Sequence, residues 1–246
     1  MRTPLLALFL AVSAAAQTAP ANATERGWQV LEAALKAAGG REKLEAVQDY
    51  SFELQSHVIA PQGDLDVRSE NRFVFPSTFR LDSHTPFGEQ NVAGDGKFGW
   101  TRAATGIVTL PPEELTRIAA DLARSNVLFR PPRDRSRVKW VAEDTIDGKA
   151  CDVIELSEVG GAPLRLSIER RSGDFVKRGY RADTPGARGV GSVEAFMSDY
   201  RTVGGLRLAF RVRVMLDGKL VRESVTKQFQ INSGLDPQEL LRRPGA

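Results

Sequence analysis

From Leu206 to Val214 the chain alternates without interruption. Leu206, Leu208, Phe210, Val212 and Val214 share one face, and Arg207, Ala209, Arg211 and Arg213 share the other. A repeat of two residues is the repeat of a β-strand, so this stretch predicts a strand with one dry face and one wet face. One strand cannot bury its own dry face, and the sequence supplies many partners. DYSFELQSHVI (49–59) sets Tyr50, Phe52, Leu54 and Val58 together. LDVRSENRFVF (65–75) sets Leu65, Val67, Phe73 and Phe75 against Asp66, Arg68, Glu70 and Arg72, and TFRLDSH (78–84) continues with Phe79 and Leu81. Further strands are read at 138–146, 150–156, 163–169, 174–180 and 191–201. Turn dipeptides such as Asp147-Gly148, Ser172-Gly173, Gly204-Gly205 and Asp217-Gly218 separate them. Half-wet strands joined by tight turns predict an antiparallel meander.

Helical spacing is confined to a few places. Thr24 as N-cap precedes Trp28, Leu31, Leu35 and Ala38 on one stripe, and Gly39-Gly40 ends the helix. REKLEAV (41–47) adds a short helical turn. LPPEELTRIAADLARSN (110–126) carries a stripe of Leu115, Ile118, Ala119 and Leu122, followed by the apolar, proline-stopped VLFRPP (127–132). A short terminal helix is read within 232–244. The expected class is therefore mainly β (α+β), with no internal repeat and no compositional break.

The start of the chain reads differently. MRTPLLALFLAVSAAAQ has a charged residue, an apolar run and small residues at Ala14 and Ala16, the pattern of a cleavable signal peptide over 1–16. Its apolar run falls short of the roughly 20 residues that span a bilayer. Residues 17–24 read as a linker and 25–246 as a single domain, exported to the periplasm, with no stable membrane span after signal cleavage. Cys151 is the one cysteine. The exported chain thus has no internal disulfide and no lipidation cysteine, and its stability must come from its core.

The formal net charge of +3 falls to +2 on loss of Arg2 and is spread over mixed charges. No basic run is long enough to imply nucleic acid. A search for chemistry finds little to combine. His57 and His84 stand in strand-like sequence, and with Asp64, Asp66 and Asp82 they would form a metal cluster only if the strands aligned them. Metal-ligand spacing is absent, as are a nucleophile elbow and a phosphate loop joined to a helix start; GARGVGS (186–192) reads as a loop. The expectation is a non-enzymatic protein without metal or cofactor. A long sheet with a continuous dry face and few helices to cover it leaves either a filled core or an apolar cavity.

At this point the residues carry a resemblance. DGKFGW (95–100), the Thr-Leu-Pro step into a helix (109–112), the DGK hairpin, and the ending SDYRTVGGLRLAFRVRV…VTKQFQINSGLDPQEL resemble the LolA/LolB-like superfamily of periplasmic lipoprotein carriers, and the group described as outer-membrane lipoprotein-sorting proteins. The likeness runs over about 25–244 and consists of structural turns. Ala209 departs from it, standing where a proline commonly follows the leucine. The resemblance implies a curved antiparallel unclosed β-barrel wrapped over a few helices, its interior sheltering acyl chains. On that reading the chain is a soluble carrier of lipoprotein acyl chains or another hydrophobic ligand, moving it toward the outer membrane with inner- or outer-membrane transport partners. The inward-facing candidates are Phe52, Leu54, Phe73, Phe79, Trp100, Leu115, Ile118, Phe129, Leu208, Phe210 and Val212. Two other readings stay open: an envelope protein-binding or sensor module with a filled core, and an envelope hydrolase using His57 or His84.

The Asp217-Gly218 hairpin extends the opening observation. A regular two-residue turn sets Val214 opposite Val221, Phe210 opposite Val225 and Leu206 opposite Phe229. It also sets Arg213 opposite Arg222 on the wet side, and places Glu223 and Lys227 on the dry side as the rim of a cavity.

Overall fold

The computed structural model describes residues 22–103, 106–183 and 190–244. The signal-peptide reading of residues 1–16 lies outside them. The described residues form one thirteen-stranded antiparallel sheet built from two meanders. The first runs through β1 (Asp49–Val58), β2 (Leu65–Val74), β3 (Thr78–Thr85), β4 (Gly88–Gly94), β5 (Gly99–Ala103) and β6 (Gly106–Thr109). The second comprises β7 (Val138–Ile146), β8 (Lys149–Val159), β9 (Ala162–Glu169), β10 (Phe175–Asp183), β11 (Val190–Val203), β12 (Leu206–Leu216) and β13 (Lys219–Ile231). Pairing of β1 with β13 joins them, leaving β6 and β7 as edges, so the sheet does not close. The short strands β4 to β6 escape the sequence reading because GEQNVAG and GIVT offer too few apolar positions to show a period of two.

Four helices accompany the sheet among the described residues: α1 (Ala23–Ala37), α2 (Arg41–Glu45), α3 (Pro112–Ser125) and α4 (Pro237–Leu241). Helix α1 begins before Thr24, with Asn22 at the N-cap position, so the last residues of the expected linker are helical. It closes the β7 edge. A Cβ on Gly27 would lie 2.5 Å from the backbone nitrogen of Trp140, so only glycine permits this approach. Leu31, Leu35 and Leu44 then bury fully with Ile154, Leu156, Leu164, Leu166 and Leu206 on the inner face of the sheet. Helix α4 packs on the outer face at β3 and β4. The loop before it is anchored by the buried Asp49 carboxylate, which accepts from Ser233 N–H at 2.8 Å, Ser233 O–H at 3.0 Å and Gly234 N–H at 3.1 Å.

The β12–β13 hairpin starts as its turn demands. Asp217 (φ 48°) and Gly218 (φ 75°) both take left-handed backbone, and Leu216 pairs with Lys219. Val221 is then left over as a bulge between the Met215–Leu220 and Val214–Arg222 pairs, and the pairs become Val214 with Arg222, Arg213 with Glu223 and Arg211 with Val225. The regular register is therefore corrected by one position beyond the turn. A slip of one residue reverses the faces. Arg213 meets a glutamate in place of a like charge, and Arg222 turns inward with Ser224 and Thr226.

Candidate ligand cavity

The inner face of the first meander is aromatic because Tyr50 pairs with Phe73 and Phe73 with Phe79, while Phe52 pairs with Phe229 across the junction. Directly paired residues share a face, and Tyr50–Phe73 and Phe52–Phe229 stack with centroids 4.8 Å and 5.5 Å apart, while Phe129 tilts against Tyr50 at 5.1 Å. The centre of the interior is thus filled.

Beneath α3 it is not. A cavity of about 320 Å³ lies between α3, the turn joining β2 to β3, and the end of β8. Phe73, Phe75, Phe79, Leu115, Leu122 and Leu156 supply its apolar wall, and Arg130 and Arg137 also line it. Its volume sits at the low end of the range for ligand sites, about 300–1,000 Å³. A smaller void of about 100 Å³, lined by Val127, Leu128, Leu166, Arg178 and Met197 among others, shares Val127 with it.

Helix α3 joins the two edges of the sheet, following β6 and preceding β7. Its hold on the sheet is thin. Leu115 and Arg124 are its buried residues, with Ile118 and Leu122 partly buried. Polar clasps fix its last turn. Arg124 donates to the Gly160 carbonyl at 2.5 Å, pairs with Asp121 at 3.0 Å and lies 4.4 Å over the Tyr180 ring. The Tyr50 hydroxyl donates to the Asn126 side-chain oxygen. Burial pushes the Tyr50 pKa well above that of a free phenol, so the proton stays on and the bond persists. Arg130 donates to the Val47 carbonyl at 2.7 Å while covering the Phe75 ring at 3.6 Å, and burial lowers its pKa.

The residues singled out in the sequence divide among several places. Phe73, Phe79 and Leu115 line the larger cavity. Phe52, Ile118, Phe129, Leu208 and Phe210 pack in the core around it. Leu54, half-buried, pairs with Ser69 and Thr226, and Val212, also half-buried, with Met197 and Ser224. Trp100 belongs elsewhere. It pairs with Ala93 on the outer face, where its indole donates to the Leu241 carbonyl at 2.8 Å and Arg80 lies over its ring. Glu223 pairs with His57 and Arg213 on the outer side, and Lys227 occupies a bulge between Thr226 and Gln228, so the expected rim is displaced. Phe75, Leu122, Leu156 and Val159 line the cavity without having been singled out. Val159 lies beside a turn, where alternation no longer assigns a face.

His57 lies exposed on the outer face, its ring nitrogens 3.0 Å from Asp66 and 3.3 Å from Asp64. His84 stands 3.6 Å from Glu89. Among the described residues no three metal-ligating side chains converge. Cys151 is buried, and burial raises its thiol pKa, which leaves it a small core residue. No helix among the described residues is long and apolar enough to cross a membrane.

No family model and no curated protein matches this sequence. Solved structures do match in shape. A LolA superfamily protein from Nitrosomonas europaea superposes with a TM-score of 0.57 at 12% identity, covering 88% of this chain and 97% of that one. A domain described as an outer membrane lipoprotein-sorting protein, from Vibrio parahaemolyticus, gives 0.55 at 9% identity over 88% and 97%. A DUF1329 family protein from Desulfovibrio piger gives 0.56 at 11% identity over 89% and 99%. At these identities the likeness is one of fold. The unclosed sheet with its few helices is the LolA-like fold.

Proposed function

We propose that this protein is a periplasmic, non-enzymatic carrier that holds the acyl chains of a lipoprotein, or another hydrophobic ligand, on their way toward the outer membrane. The observation that supports this reading is the apolar cavity beneath α3, a helix clasped mainly at its last turn. Buried acyl chains gain about 0.8 kcal/mol per methylene, and a movable helix keeps water from reversing that gain. The signal-like start of the chain and the lipoprotein-sorting description of the Vibrio neighbour agree with it.

The filled aromatic centre favours a second reading, in which the same fold recognises an envelope protein without carrying lipid. Lipid extraction and native mass spectrometry of the protein isolated from a periplasmic fraction separate the two. Co-purifying lipid or acylated protein is the expected result. An empty protein with no affinity for a fluorescent fatty acid would sink the carrier reading.

A further inference from the structure

The inner face of the sheet carries neutral polar side chains such as Ser56, Ser69, Ser224 and Thr226 among its apolar ones, and at one rung it carries cations. Leu166 pairs with Arg178, Arg178 with Ala195, Ala195 with Val214, Val214 with Arg222 and Arg222 with Val58. Two guanidinium groups therefore face the interior from β10 and β13. Among the described residues neither has a carboxylate partner within ion-pair distance. The acid felt from this side is Asp121 of α3, and it is already engaged by Arg124 at 3.0 Å and Arg117 at 3.5 Å. Arg178 donates to the Arg124 carbonyl at 3.5 Å, which caps the C-terminal end of α3. That role uses one of its nitrogens. Its Nε is buried without a hydrogen-bond partner, and capping gives no reason for Arg222.

Leaving the buried Nε of Arg178 unpaired is costly, and the like charge of Arg222 on the same rung adds to that cost. Desolvation lowers the pKa of both, and each guanidinium still stays charged at neutral pH. Arg222 faces the same side by its register and is exposed to solvent, so this rung is open to water. The two arginines are thus placed to receive an anion from solvent. An apolar space lies close by: Arg178 lines the smaller void, and Ala123 and Asn126, flanking the Arg124 that it caps, line the larger cavity.

We propose that the interior binds an anionic amphiphile, its carboxylate or phosphate head held by Arg178 and Arg222 and its tail in the apolar cavity beneath α3. This inference rests on the carrier reading and narrows its ligand.

Displacement of the neutral dye Nile red by ligands of one tail length tests it. Dodecanoate and dodecyl phosphate are expected to displace the dye at about ten-fold lower concentration than dodecanol, the effect of one or two charge-assisted hydrogen bonds. Comparison of the two acids identifies which headgroup is preferred. Arg222→Gln, at a site still open to water, should erase this preference and leave dodecanol unchanged; Arg178→Gln should do the same where it folds. Three results would overturn the inference: equal displacement by acid and alcohol, a preference that survives Arg222→Gln, or inorganic phosphate binding as tightly as dodecyl phosphate. Failure of every ligand, dodecanol included, would instead bring down the carrier reading on which it rests.

Discussion

The two long helices cover the same sheet in different ways. Helix α1 buries Gly27, Leu31, Ala34 and Leu35 against β7, β8 and the strands beyond, so tightly that its glycine cannot take a methyl group. Helix α3 buries one leucine and an arginine. The space under the first is full, and the space under the second holds the cavity. The difference separates a helix that completes the core from one that roofs a site. It follows from composition: α1 carries Trp28, Leu31 and Leu35 on its stripe, whereas the stripe of α3 is diluted by alanines at 119 and 123 that line the cavity. Small residues leave room.

The sharpest way to break this comparison is to truncate one leucine on each helix. Leu35→Ala removes a fully buried side chain from a closed core and should cost about 2–5 kcal/mol. Leu122→Ala enlarges a space that is already open and should cost about 1 kcal/mol or less. Urea unfolding of both variants measures this. Equal losses would mean that α3 is as much a part of the core as α1.

A smaller effect comes from the turn between β8 and β9. Gly160 has φ 61°, and a Cβ there would lie 2.5 Å from the Ala120 carbonyl of α3. Gly160→Ala should cost about 1–3 kcal/mol through strain and contact. The cost should be local: amide hydrogen exchange quickens over 112–125 and stays unchanged over 23–37. Uniform acceleration in both helices would show that α3 cannot loosen independently, and with it the lid would fall.

The sequence makes the same distinction only in part. The long strands and the faces of Leu206, Leu208 and Phe210 are legible because alternation is a local property. The register of β13 is not. The bulge at Val221 leaves no mark in composition, yet it alone turns Arg222 inward and Glu223 outward. Trp100 reads as an inward aromatic, but the outer face also has a cover, α4, and a short strand cannot say which face that cover takes. Arg124 and Arg178 read as ordinary surface charges. Their burial depends on where α3 lands, and pairwise spacing along the chain carries no information about that.

The smallest effect concerns the tip of the β1–β2 hairpin, which touches neither helix. Hydrogen bonding to Asp66, and next to Asp64, raises the His57 pKa above its ordinary 6.5. A raised pKa means that the folded state holds the proton more tightly, so the clasp contributes fully below about pH 6.5 and is lost as pH climbs through the folded value. The ring is exposed, so salt screens the contribution and keeps it small. In low salt, unfolding midpoints of the wild type and His57→Gln should differ at pH 5.5 and converge at pH 8.5, while Nile red binding stays equal throughout. An imidazole that titrates at or below 6.5 by NMR would remove the clasp. A variant that lost dye affinity instead would tie the hairpin tip to the cavity, and α3 would no longer be the sole element guarding it.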